Sequence, residues 1–158
     1  MTVPSSAPRL VKGLAGLREL AGQSLGTAPP FVVTKDRIQE FCRAVDNDEW
    51  IHWDEDRCAA EGLGTVIAPG LFLPSLFPRH LFDLIRIADV PRMFFLGIDR
   101  LRLLTPIRAG ETVTATLEVR EVEERAQGIA VRYGVTWHIV GQPEPAAVAT
   151  MVVRYLPG

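Results

Sequence analysis

The chain predicts an α+β domain: an antiparallel sheet whose helices are gathered in the first half of the sequence. Three observations carry that prediction. Apolar residues recur at helical spacing in the first half and alternate with polar ones in the second. The alternating segments are joined by connections too short for a helical crossover, such as residues 141–145, so neighbouring strands must run antiparallel. Finally, 158 residues with 47% hydrophobic and 23% charged side chains fit a single domain, 1–158, around one core.

Leu10, Leu14, Leu17 and Ala21 share one helical face, so Leu10–Leu20 reads as a short leading helix, weakened by Gly13 and Gly16. Thr34 is an N-cap residue, and Ile38, Phe41, Cys42 and Val45 follow at helical spacing, which predicts a helix over Thr34–Val45. Periodicity lapses between Asp46 and Gly70, where acidic residues, Trp50, His52, Trp53 and several glycines mark a functional loop region. A short helix is expected inside it near Asp54–Ala60. Gly70–Ala88 is rich in Leu, Phe and Ile on most sides, as a core-packed central helix would be. Its start should be irregular: Pro74 is tolerated in a first turn, but Pro78 lies deeper, where a proline costs about 3 kcal/mol.

The period then changes to two. In Thr112–Glu123, Val113, Ala115, Leu117 and Val119 alternate with polar residues, and Gly128–Val140 repeats the pattern from Ile129 to Ile139. Met93–Leu104 and Ala146–Tyr155 are strand-like as well, the latter apolar on both faces and therefore expected at the sheet's centre. Glu118–Arg125 reads as a solvated strand face. His80 and His138 are expected to be structural or exposed, and Phe72, Phe77, Phe82, Phe94 and Phe95 to lie mostly in the core.

Composition narrows the function. Lys+Arg 17 against Asp+Glu 19 gives a net charge of −2, leaving no basic excess for a phosphate backbone, so nucleic acid is not an expected partner. No apolar run is long enough to span a bilayer, and Met1–Leu10 lacks a basic start followed by an apolar stretch. The expectation is a cytoplasmic protein with no membrane partner. Cys42 and Cys58 make neither a disulfide framework nor a zinc pattern and read as structural thiols, with no metal site. No Gly-rich phosphate loop, Walker-type lysine or dinucleotide fingerprint appears, so no cofactor is implied.

The densest run of reactive side chains is Asp46-Asn47-Asp48-Glu49-Trp50-Ile51-His52-Trp53-Asp54. Val66-Ile67-Ala68-Pro69-Gly70 follows and opens the apolar helix, whose first N–H groups lack partners and favour an anion. Together with Gly22-Gln23-Ser24-Leu25-Gly26 and Val33–Phe41, these segments resemble the MaoC-like hot-dog family, in the branch of nodulation-protein-N-like proteins and (R)-specific enoyl-thioester hydratases. Glu49-Trp50-Ile51-His52-Trp53-Asp54 is similar to that branch's Gln-Trp-Ile-His-Val-Asp. The resemblance implies a long helix wrapped by an antiparallel sheet, a homodimer, and activity on acyl thioesters of coenzyme A or an acyl carrier protein.

Two departures stand beside it. The hydratases carry a catalytic Asp five residues before the histidine; here that position is Asn47, and an amide cannot take a proton as a carboxylate does. Asp46 and Asp48 flank it and would restore a carboxylate if the loop shifted by one residue. The family's Ala-His-Gly is here Ala68-Pro69-Gly70, and Pro69 has no N–H to give.

The roles that follow are His52 as general acid/base, Asn47 as a hydrogen-bonding positioner, and the Gly70 N–H as the group polarising a thioester carbonyl. Trp50, Ala68, Leu71 and Phe95 are the candidates for substrate contact, since a fatty acyl chain needs an apolar slot. Three function classes are open: conjugate addition or elimination on a 2-enoyl thioester with water or an amine, thioester hydrolysis, and non-catalytic acyl binding. A second copy of the chain is expected as partner, because one wrapped sheet leaves an edge strand to be paired.

Overall fold

Alternation in the second half of the chain builds one sheet, and the computed structural model, which describes residues 7–158, sets the remaining elements around it. Residues 1–6, on which part of the export reading falls, lie outside the described residues. In chain order the elements are β1 (Arg9–Lys12), α1 (Gly13–Glu19), β2 (Ser24–Thr27), β3 (Phe31–Val32) and α2 (Lys35–Ala44). A single 3-10 turn at Trp50–His52 precedes α3 (Glu55–Ala60), α4 (Phe72–Ser75) and α5 (Phe77–Leu84). β4 (Ile85–Ala88), β5 (Arg92–Leu103), β6 (Thr112–Glu124), β7 (Ile129–Ile139) and β8 (Pro145–Leu156) complete the fold.

The main sheet runs in the order β2-β6-β7-β8-β5, with β3 also on β6, and all its pairings are antiparallel. β8 lies between β7 and β5, as its two apolar faces require. One face carries Val119, Tyr133 and Met151 in register, and against it the helices set Leu17, Leu73, Phe77 and Leu81, all buried. Phe77 and Tyr133 meet with ring centroids 5.5 Å apart, and the buried hydroxyls of Tyr133 and Tyr155 hydrogen-bond at 2.7 Å. Satisfying each phenol with the other lets two large rings occupy the core without an orphaned polar group. Cys42 and Cys58 are free and buried, and burial pushes both thiols up.

Three expectations need correction. Leu10–Leu20 is not one helix: its first residues form β1, which pairs in parallel with β4, and the helix begins only at Gly13. Gly70–Ala88 is not one long helix either. Pro78 sits in the first turn of α5, where a missing N–H does no harm, so the chain breaks after Ser75 and starts a second helix. That helix ends at Leu84, because Ile85 is extended (φ −134, ψ 143) and begins β4. Gly70 therefore precedes α4 and is not the first residue of a core helix. Of the five phenylalanines expected in the core only Phe72 and Phe77 are buried; Phe82 is 46%, Phe94 51% and Phe95 53% exposed. The last two lie on β5, an edge strand with nothing beyond it among the described residues.

His80, on α5, is completely buried with neither ring nitrogen hydrogen-bonded. Desolvation pulls its pKa from 6.5 down to about 4, opposed by Asp83 and reinforced by Arg79. Between those values the unfolded chain binds the proton more readily, so stability is fully present above pH 6.5 and lost as pH falls towards 4. The whole effect is roughly 3 kcal/mol. His80→Leu should flatten the fall of the denaturant midpoint across that window; slopes equal to wild type would contradict this account.

Candidate active site

The site begins where α2 stops. The Asp46 N–H returns to the Arg43 carbonyl and the Asn47 N–H to the Cys42 carbonyl, a Schellman closure with Asp46 in the left-handed region at φ 52. Asp tolerates that conformation better than most residues. The closure delivers Asn47 at the start of the loop, where its Oδ1 accepts from the Glu49 N–H at 3.0 Å and its carbonyl from the Trp53 indole N–H at 2.9 Å. Asn47 thus folds the loop around itself and keeps its side-chain NH2 as a free donor among the described residues.

Five residues on, the 3-10 turn carries His52, which is 5% exposed. Its Nδ1 lies 2.7 Å from the Ile67 carbonyl. A carbonyl only accepts, so Nδ1 holds the proton and Nε2 of the neutral ring is left with its lone pair. No described residue hydrogen-bonds Nε2. The carbonyl that selects this tautomer is itself held in place. Ile67 donates its N–H to the Ile51 carbonyl, Ala68 donates to Ile107, and Ala109 donates to Val66. Residues 66–68 are therefore a short extended segment stitched to the turn on one side and to residues 107–109 on the other. Pro69 holds Ala68 extended from the C-terminal side.

Beyond Pro69 the N–H groups of Gly70 and Leu71 meet no acceptor among the described residues. Gly70 opens onto a cavity of about 320 Å³ lined by His52 and Thr105 and otherwise by apolar residues, among them Ile67, Ala68, Leu73 and Leu104. A second cavity of about 310 Å³ also touches Gly70 and is lined by Asn47, Phe41, Val45 and Leu71. Pro69, Gly70 and Leu103 border both.

The structure thus brings His52, Ala68 and Gly70 to one cavity, and Asn47, Leu71 and Gly70 to the other. It leaves four expected site residues out of both. Asp46 is occupied as the helix-closing residue, and Asp48 is exposed. Trp50 lies under the Arg57 guanidinium, 4.0 Å from the ring centroid, and Phe95 faces Phe77 at 6.4 Å. The far wall, Leu103 to Ile107, carries no local sequence pattern that marks it as part of a site. Its one distinguishing feature is Thr105-Pro106, which follows the strand-like Met93–Leu104 and brings the one side-chain hydroxyl of the cavity lining.

A family model described as "FAS1-like, dehydratase domain region" matches residues 19–143. The 3-hydroxyacyl-thioester dehydratase Z of Mycobacterium tuberculosis is 30% identical over 149 residues, covering 94% of this chain and 99% of the relative. Nodulation protein N of Rhizobium meliloti is 29% identical over 142 residues, 88% of each chain. Among solved structures, the monoamine oxidase regulatory protein of Archaeoglobus fulgius superposes with a TM-score of 0.77 at 19% identity, covering 97% of this chain and 100% of that one. The (R)-hydratase of A. caviae gives 0.69 at 21%, covering 87% and 96%. At such identities the structural likeness speaks for the hot-dog fold.

Asn47 has a folding role that can be measured without any substrate. Asn47→Ala removes the acceptor for the Glu49 N–H and should lower stability by about 1 kcal/mol, whereas Asn47→Asp retains an acceptor and should stay within about 0.5 kcal/mol of wild type. Equal losses in urea denaturation would show that this hydrogen bond does not hold the loop.

Proposed function

Because the chain belongs to the FAS1-like dehydratase family, with the MaoC-like hot-dog fold, we propose that it is a lyase interconverting 3-hydroxyacyl and 2-enoyl thioesters. The acyl group is carried on coenzyme A or an acyl carrier protein. The observation that carries this reading is the His52 tautomer: Nδ1–H is tied to a backbone carbonyl, leaving Nε2 as a base on the cavity that Gly70 also lines.

In the hydration direction Nε2 takes a proton from water as its oxygen bonds to Cβ. The π electrons move onto the thioester oxygen, where the Gly70 N–H stabilises the developing charge. The enolate collapses as Cα takes the proton back from Nε2, so the imidazole ends as it began. Dehydration is the reverse: Nε2 removes the Cα proton and returns it to the departing hydroxyl. One base serves both steps. That suits a chain with Asn47 where the hydratases have Asp, and assigns Asn47 the role of a donor that positions, not a base. The same feature favours a second nucleophile, an amine, which needs less help with deprotonation than water.

A homodimer belongs to this reading. β5 is a twelve-residue edge strand whose Phe94, Phe95 and Leu96 are 51%, 53% and 55% exposed, and pairing with a second copy would cover it.

His52→Ala should reduce hydration of crotonyl-coenzyme A at least about 100-fold, and Asn47→Asp should increase it by supplying a second base. Mass spectrometry decides the chemistry: a water adduct still on its carrier supports the reading, an amine adduct the second nucleophile, and released acid alone would replace both with hydrolysis. Light scattering at micromolar concentration should report a dimer, weakened by Leu96→Lys at the strand edge; a wild-type monomer would sink the pairing.

A further inference from the structure

Two apolar cavities of nearly equal size, one lined by His52 and the other by Asn47, share a border made of the Pro69-Gly70 corner and one side chain from the facing strand. Leu103 borders both. A Cβ built on Gly70 would lie 2.5 Å from the Leu103 Cδ1, so this methyl group rests where residue 70 has no side chain. The leucine can lie over residue 70 because that residue is glycine; a Cβ there would push it aside.

We propose that Leu103 determines the length of acyl chain this site accepts. The inference rests on the preceding reading, that the occupant is an acyl thioester. The His52 cavity alone, about 320 Å³, lies near the lower limit for small-molecule sites and suits a short acyl group. The neighbouring apolar space, lined by Phe41, Val45 and Leu71, would continue the slot for a longer chain past Gly70, and Leu103 borders both spaces at that point. That border is movable. Leu103 is the last residue of the edge strand, its backbone registered opposite Ala147, and it is 51% exposed. Its side chain can therefore change size or rotamer without disturbing the loop that holds His52.

The test compares binding of butyryl- and dodecanoyl-pantetheine, which are saturated and so bind without turnover, to wild type, Leu103→Ala and Leu103→Phe by calorimetry. Circular dichroism checks that each variant is folded. Each methylene moved from water into an apolar channel tightens binding about fourfold. Leu103→Ala should therefore raise the dodecanoyl-to-butyryl affinity ratio at least about tenfold over wild type, and Leu103→Phe should lower it. A ratio unchanged within about twofold in both variants overturns the proposal. Parallel hydration assays on the matching enoyl thioesters keep the two readings apart. A shifted binding ratio without hydration leaves the chain-length assignment standing and removes the lyase, whereas hydration with an unmoved ratio does the opposite. Absence of binding by either ligand to every form overturns both.

Discussion

The His52 side of the candidate site is referred to the backbone of residues 66–68. That segment takes a hydrogen bond from the Ala109 N–H, gives one to Ile107, gives another to Ile51 and accepts the His52 imidazole. Each bond is worth only about 1 kcal/mol net, yet together they bind the 3-10 turn, the Pro69-Gly70 corner and the end of the β5–β6 connection into one rigid piece. The tautomer of His52 is a by-product of that stitching. A carbonyl already fixed by its neighbours selects which ring nitrogen holds the proton, and the ring then has one free basic nitrogen in a defined place.

How much of the fold the sequence disclosed depended on the range of the interaction responsible. The long strands follow from a period of two, and α2 and α3 from side chains that cap them locally: Thr34 accepts the Arg37 N–H, and Asp54 accepts the Arg57 N–H. The readings that failed concern short segments decided by distant partners. Arg9–Lys12 carries an apolar spacing compatible with a helix, but its pairing with Ile85–Ala88 draws it into extended form. Apolar richness around Pro74 and Pro78 showed that the region was buried, and not that it was broken. Phe94 and Phe95 look like core residues by type; only the order of strands puts them at an edge.

The site divides along the same line. His52, Asn47 and Gly70 lie in one continuous stretch, and their spacing was readable. The wall from Leu103 to Ile107 is contributed by a segment more distant in sequence than any local pattern reaches, and apart from Thr105 its residues are ordinary leucine, proline and isoleucine. Asn47 shows why residue type alone misleads: in a loop closed by Asp46 and pinned by the Trp53 indole, its oxygen already has a partner in the Glu49 N–H. An amide does there what a carboxylate would do structurally, without adding a charge.

The small parallel ladder of β1 and β4 has a topological meaning. Parallel neighbours must be joined by a crossover, and everything between Lys12 and Ile85 is that crossover, so the loop of the candidate site lies within a closed ring of chain. Closing so long a ring has an entropic cost, of which each doubling in length adds only about 0.6 kcal/mol, and four paired residues hold it shut. The loop bearing His52 is thus confined from both ends by a clasp that shares no residue with either cavity. Loosening that clasp enlarges the range of shapes the ring explores while every residue of the cavity stays the same.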